Sequence, residues 1–174
     1  MPAGINLAEI HSPHIGIDGL GNINLGTASG SMAEQVQKGN LPQIVGKNIP
    51  SAVAISNAVG ASSNIANVTF QLQDVKGNNV AGNFEFDILL SDAATGLGLT
   101  ATTASGGFAA ASSGGTIIGT LTTSKAIRVQ TNSSGAFILA ITDTAKTGFY
   151  PVAYYSPYGQ ATVGTQLTTA SYHS

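Results

Sequence analysis

The sequence contains no cysteine, which excludes a disulfide framework, thiolate metal ligation and thiol catalysis together. Charge is also scarce. Only 8% of residues are Asp, Glu, Lys or Arg, where roughly 25% is usual in a soluble domain. The surface therefore has to be made polar by Asn, Gln, Ser, Thr and Gly. No charged residue lies between Lys47 and Asp74, nor between Asp92 and Lys125. A net charge of −2 with six scattered cations offers no basic patch to neutralise phosphates, so nucleic acid and anionic membrane are excluded as partners. No stretch approaches the ~18 apolar residues of a membrane span. The start "MPAGINLAEIHSPHIGIDG" lacks a basic run followed by an apolar one, so no secretory signal is expected.

Reactive constellations are equally sparse. His11 and His14 are separated by Pro13, and with only His173 elsewhere no metal-ligand set is assembled. Glu85 and Asp87 flank Phe86 on the outward face of one expected strand, roughly 7 Å apart by strand rise. With no apolar pocket or partner to separate their pKa values, they read as a solvated face. Asp18, Asp92 and Asp143 stand at turns, where a carboxylate caps backbone amides more readily than it binds calcium. "GLGNINLG" has glycines but lacks the lysine and helix of a phosphate loop. No catalytic, metal or cofactor-binding residue is assigned, no cofactor is expected, and the chain does not read as an enzyme.

At 174 residues the chain suits one domain and an extension. Residues 1–62 carry frequent, unevenly spaced glycines interrupted by single aliphatics, and read as an extended, mostly irregular arm. Its one helix signal is "SMAEQVQKG": Ser31 as N-cap, Glu34 completing a capping box and Gly39 as terminator, which predicts a helix over 32–38. From residue 63 to 174 the pattern has period two. Val68, Phe70 and Leu72, then Phe84, Phe86, Ile88 and Leu90, then Phe137, Leu139 and Ile141 alternate with polar residues, as half-buried antiparallel strands do. Gly77 and Gly135 supply the left-handed backbone of the "KGNN" and "NSSG" turns. Further strands are expected at 97–103, 116–121, 126–130, 149–155 and 160–167. "ASGGFAAASSGG", residues 104–115, reads as a mobile loop. Such spacing without crossover helices predicts an all-β antiparallel sandwich.

"VTFQLQDVKGNNVAGNFEFDILLSD", followed by "TNSSGAFILAITD" and "FYPVAYYS", resembles the bacterial immunoglobulin-like module of surface adhesins and tailed-phage virion proteins. With "SDAATG" and "GTIIGTLTTSKAIRVQTNSSGAF" the match is more similar to phage proteins of the head decoration or cement kind. The resemblance covers about residues 65–170; the glycine-rich arm lies outside it. It implies an immunoglobulin-like β-sandwich that builds or binds. On this reading the arm buries Ile15, Ile17, Leu20, Ile23 and Leu25 against a major capsid protein lattice, the protein works as a homotrimer, and it resides in the virion. The alternative is a carbohydrate-binding adhesin module, whose glycan contact would use Tyr154, Tyr155 and Tyr158 at the tyrosine-rich end together with the 104–115 loop.

Overall fold

The computed structural model describes residues 15–17, 23–25, 50–155 and 160–174, and the chain divides into two units, Met1–Ile49 and Pro50–Ser174. In the first unit two short strands, β1 (Ile15–Ile17) and β2 (Ile23–Leu25), pair antiparallel, setting Ile15 opposite Leu25 and Ile17 opposite Ile23. The arm is thus not wholly irregular. The helix expected over 32–38 and Leu20 lie outside the described residues.

Among its described residues the second unit is all-β apart from a 3-10 turn at Thr169–Ser171. Its strands are β3 (Ala52–Val59), β4 (Ile65–Gln73), β5 (Glu85–Ser91), β6 (Gly107–Ala110), β7 (Thr116–Thr122), β8 (Ala126–Gln130), β9 (Ala136–Thr142), β10 (Tyr150–Tyr155) and β11 (Gln160–Val163). They form a four-stranded sheet, β3-β4-β9-β6, and a five-stranded sheet, β11-β10-β5-β8-β7. Every pairing is antiparallel.

Alternation fixes which face of each strand is buried. Ala66, Val68, Phe70 and Leu72 of β4 and Phe137, Leu139 and Ile141 of β9 are fully enclosed, as are Ile88 and Leu90 of β5 and Val129 of β8. These side chains meet in one core between the sheets. Phe70 and Phe86 meet across it in a tilted arrangement, with ring centroids 6.0 Å apart and planes at 54°. An aromatic contact of this kind adds roughly 0.5–1.5 kcal/mol to the burial of its area.

Three expectations change. The sandwich begins at Pro50 and not at residue 63, because β3 pairs along its whole length with β4, from Ala52 opposite Gln73 to Val59 opposite Ala66. Its inward residues, Val53 and Ile55, cover the core edge. Residues 97–103 do not form a strand. Gly96 and Gly98 take left-handed φ of 71° and 80°, which breaks the extension and leaves Leu97 73% exposed. The segment read as a mobile loop contains β6, paired to β9 and held down by Phe108 and Ala110 against the core.

Candidate functional site

The "KGNN" and "NSSG" turns each carry the chain from one sheet to the other, from β4 to β5 and from β8 to β9. They interlock. Asp74 Oδ1 accepts the amides of Lys76 (2.8 Å) and Asn78 (2.9 Å). These bonds, from the Asn78 amide foremost, hold its carboxyl below the ordinary range against the cost of burial. Asn132 Oδ1 does the same for Ser134 (3.0 Å) and Ala136 (3.1 Å). Between the two turns the Gly82 amide donates to Ser133 (3.0 Å), the Leu72 amide to Gly135 (3.0 Å), and Thr131 Oγ1 accepts from the Phe84 amide (2.8 Å) while donating to Gly82 (2.8 Å). Gly77 and Gly135 have the expected left-handed φ, 81° and 75°. Asn78 and Asn132 do not; they serve the turns through their side chains.

The remaining buried aspartate and its exposed counterpart serve loops in the same way. Asp92 accepts the Thr100 hydroxyl (2.6 Å) and the Ala101 amide (2.7 Å), and Lys125 Nζ closes the same loop on the carbonyls of Thr100 and Ala101 (2.8 Å each). The Ala101 amide is the main reason its carboxyl titrates below the usual value. Burial opposes charge on Asp143, but the amides of Thr147 (2.7 Å) and Ser105 (3.2 Å) outweigh it and lower its pKa. Tyr172, buried and donating to the Thr147 carbonyl at 2.9 Å, is pushed well above the usual tyrosine range by burial and then by the charge on Asp143. The turn roles of Asp92 and Asp143 are those the sequence suggests. Asp18 lies outside the described residues.

One cluster of functional groups opens to solvent, on the outer face of the five-stranded sheet. The register sets Tyr154 opposite Asp87 on β5 and Asp87 opposite Arg128 on β8. Arg128 grips Asp87 with Nε (2.7 Å) and Nη2 (2.9 Å), a bidentate pair that raises the guanidinium pKa. With Glu85 and Phe86 these residues line a shallow cavity of about 210 Å³. The Tyr154 hydroxyl makes no hydrogen bond among the described residues. Glu85 and Asp87 share this face as expected, but Asp87 is engaged by Arg128, which sequence reasoning missed.

Tyr154 and Tyr155, adjacent on β10, point to opposite faces of the strand. Tyr154 faces outward, Tyr155 packs against the core, Tyr150 bonds Gln166 through its hydroxyl at 3.3 Å, and Tyr158 lies outside the described residues. His11 and His14 lie outside them too. His173 stands beside the terminal Ser174 carbonyl, 3.0 Å from Nδ1. Among the described residues no three His, Asp or Glu side chains are grouped as metal ligands would be, and no helix is long and apolar enough to cross a membrane.

The second broad surface is the outer face of the four-stranded sheet. Its cross-strand rows read Ala54–Gln71–Ala136, Ser56–Thr69–Ile138 and Ala58–Asn67–Ala140–Ala109. None of these residues is charged. The charged side chains among the described residues of the second unit lie on connections or on the five-stranded sheet. Comparison with protein-family models, with curated proteins and with solved structures found no match.

Proposed function

We propose that Pro50–Ser174 is an immunoglobulin-like sandwich and that the chain is a structural protein of a tailed-phage virion, of the decoration or cement type, attached to a major capsid protein lattice. The strand order supports the fold. In space β3-β4-β9-β6 follows the A-B-E-D sheet of an immunoglobulin domain, and β11-β10-β5-β8-β7 follows the G-F-C-C′-C″ sheet of the nine-stranded variable type. The chain visits these positions in a different order, since β6, in the D position, precedes β7 and β8.

The observation that carries the function is the uncharged four-stranded face. A sheet surface of Ala, Ser, Thr, Asn and Gln with Ile138 among them offers no long-range steering. It binds through close packing and neutral hydrogen bonds, which suits a partner held in a fixed, repeated position. In this reading the arm adds Ile15, Ile17, Leu20, Ile23 and Leu25. The two-stranded β1–β2 sheet is the kind of element that needs a further surface, because an isolated hairpin is marginal in water. The test is co-sedimentation with assembled heads from low to molar salt. Binding that persists throughout and is lost in Ala140→Lys supports the reading; release by salt, as an ionic contact requires, overturns it.

A second reading rests on the cavity at Tyr154. An aromatic ring beside a bidentate Asp87–Arg128 pair presents a stacking surface with fixed acceptors and donors, the combination a neutral sugar needs. Titration with neutral oligosaccharides decides it. Saturable binding lost in Tyr154→Ala, with head binding absent, makes this an adhesin-type module.

A further inference from the structure

Each sheet has two edge strands, and proteins normally protect such edges by shortness, charge, proline or bulges. Three of the four edges here are protected. β6 and β11 have four residues each, and β7 breaks its register with β8 between Ile117 and Gly119 and again between Thr120 and Thr122. The remaining edge, β3, has eight residues, AVAISNAV, with no charge, proline or glycine. Its pairing with β4 runs without a shift from Ala52 to Val59.

The hydrogen-bond phase shows which backbone groups of β3 are left over. Gly60 donates to Ile65 (3.0 Å), and Leu72 of β4 bonds in the opposite direction, to Gly135 (3.0 Å). In an antiparallel ladder the bonded residues alternate, so Ala52, Ala54, Ser56 and Ala58 pair with β4. Val53, Ile55, Asn57 and Val59 turn their amides and carbonyls away from it. Among the described residues no second strand pairs with them, though β10, β11 and the Thr169–Ser171 turn lie close to β3. The Asn57 side chain is tied to Thr165 (3.0 Å to its carbonyl and 3.0 Å to its hydroxyl), but towards Val59 a cavity of about 220 Å³ separates β3 from Thr168, Ala170 and Ser171. Val59 is 52% exposed.

We propose that this edge pairs with the β3 edge of a second copy, joining two four-stranded sheets into one across a twofold axis. β3 is self-complementary for this. In an antiparallel pair, opposed residues share a face and a bonding phase, so a twofold axis at Ser56 sets Val53 against the partner's Val59 and Ile55 against the partner's Asn57. All four are residues whose backbone groups point outward. On the solvent face the same register sets Ser56 against the partner's Ser56 and Ala54 against the partner's Ala58. Small neutral side chains therefore oppose small neutral side chains, with no like charges to repel. The assembly unit is a dimer, where the sequence resemblance suggested a trimer. This inference is independent of the virion reading, since it concerns the isolated protein.

The test is sedimentation equilibrium of the full chain over a wide concentration range, with three variants. The wild type is expected to dimerise. Ser56→Lys, which opposes like charges at the axis on an exposed site, should weaken the dimer more than tenfold and leave the thermal midpoint of the monomer unchanged. An equimolar mixture of Ser56→Lys and Ser56→Glu should recover a heterodimer. Ala140→Lys, on the same sheet face but away from the edge, should still dimerise. A wild type that stays monomeric overturns the proposal. So does a dimer lost in Ala140→Lys and kept in Ser56→Lys, or a charge-swapped pair that fails to associate.

Discussion

Gly135 passes so close under Val80 that a β-carbon on the glycine would lie 1.7 Å from the Val80 carbonyl oxygen. This contact locks the two sheet-crossing turns together, and its cost on substitution can be separated from backbone strain. Gly77 has the same left-handed φ, 81° against 75°, yet a β-carbon there meets nothing within 4 Å. Gly77→Ala should therefore lose only the conformational term, about 1–2 kcal/mol. Gly135→Ala should lose that and the turn contact as well. Denaturant unfolding of both variants checks the ranking, and equal losses would show that the turns do not interlock.

Stability should fall on the acid side through the loop aspartates. Asp74, Asp92 and Asp143 all have carboxyl pKa values lowered by folding. A lowered folded pKa gives stability that is complete above the unfolded value and is lost as pH falls through the folded one. The midpoint should thus be level from about pH 8 to pH 5 and drop below about pH 4. Asp143→Asn should be less stable than wild type at pH 7, with the difference narrowing in acid. A constant difference across that range would show that the Asp143 charge is not what its amide partners hold.

Tyr172 acts at the other end of the scale. Its folded pKa is raised, so its contribution is complete below the unfolded value, about 10, and is lost as pH rises further. Tyr172→Phe should cost about 1 kcal/mol at neutral pH through the missing bond to Thr147 and should blunt the alkaline loss. Melting curves between pH 8 and 11 read both effects, and an unchanged alkaline limb would exclude Tyr172 as its source.

Phe70 is fully enclosed and touches Phe86 across the sheets. Phe70→Ala should cost about 3–5 kcal/mol, whereas Leu97→Ala, on a side chain 73% exposed, should be close to neutral. Comparable losses at the two positions would contradict the assignment of 97–103 to a surface loop.

The strands that sequence reading found are those in which large apolar side chains alternate strictly, such as Val68, Phe70 and Leu72. β6 and β3 escaped because their inward residues are diluted by small ones: only Phe108 marks the first, and AVAISNAV varies little between its two faces. Leu97 and Leu99 mimic a strand, and the neighbouring Gly96 and Gly98 that undo it were the available warning. The Asp87–Arg128 pair spans 41 residues and depends on a β5–β8 register that no local pattern encodes. The splitting of Tyr154 from Tyr155 was legible, since adjacent residues of a strand point to opposite faces.

Successive strands stay within one sheet at only three places in the sandwich, β3–β4, β7–β8 and β10–β11; every other connection changes sheets. The central pair β4–β9 joins Val68 to Leu139, so β4 leaves the ribosome 139 − 68 = 71 residues before its partner. At roughly 5–20 residues per second that is a wait of about 4–14 s with Val68, Phe70 and Leu72 uncovered. Long-range pairing of this kind also slows refolding to milliseconds or seconds. A chain with so few charges has little repulsion to keep waiting strands of different copies apart. Its yield of native protein should therefore be governed by concentration during synthesis and refolding more than by the stability of the finished sandwich.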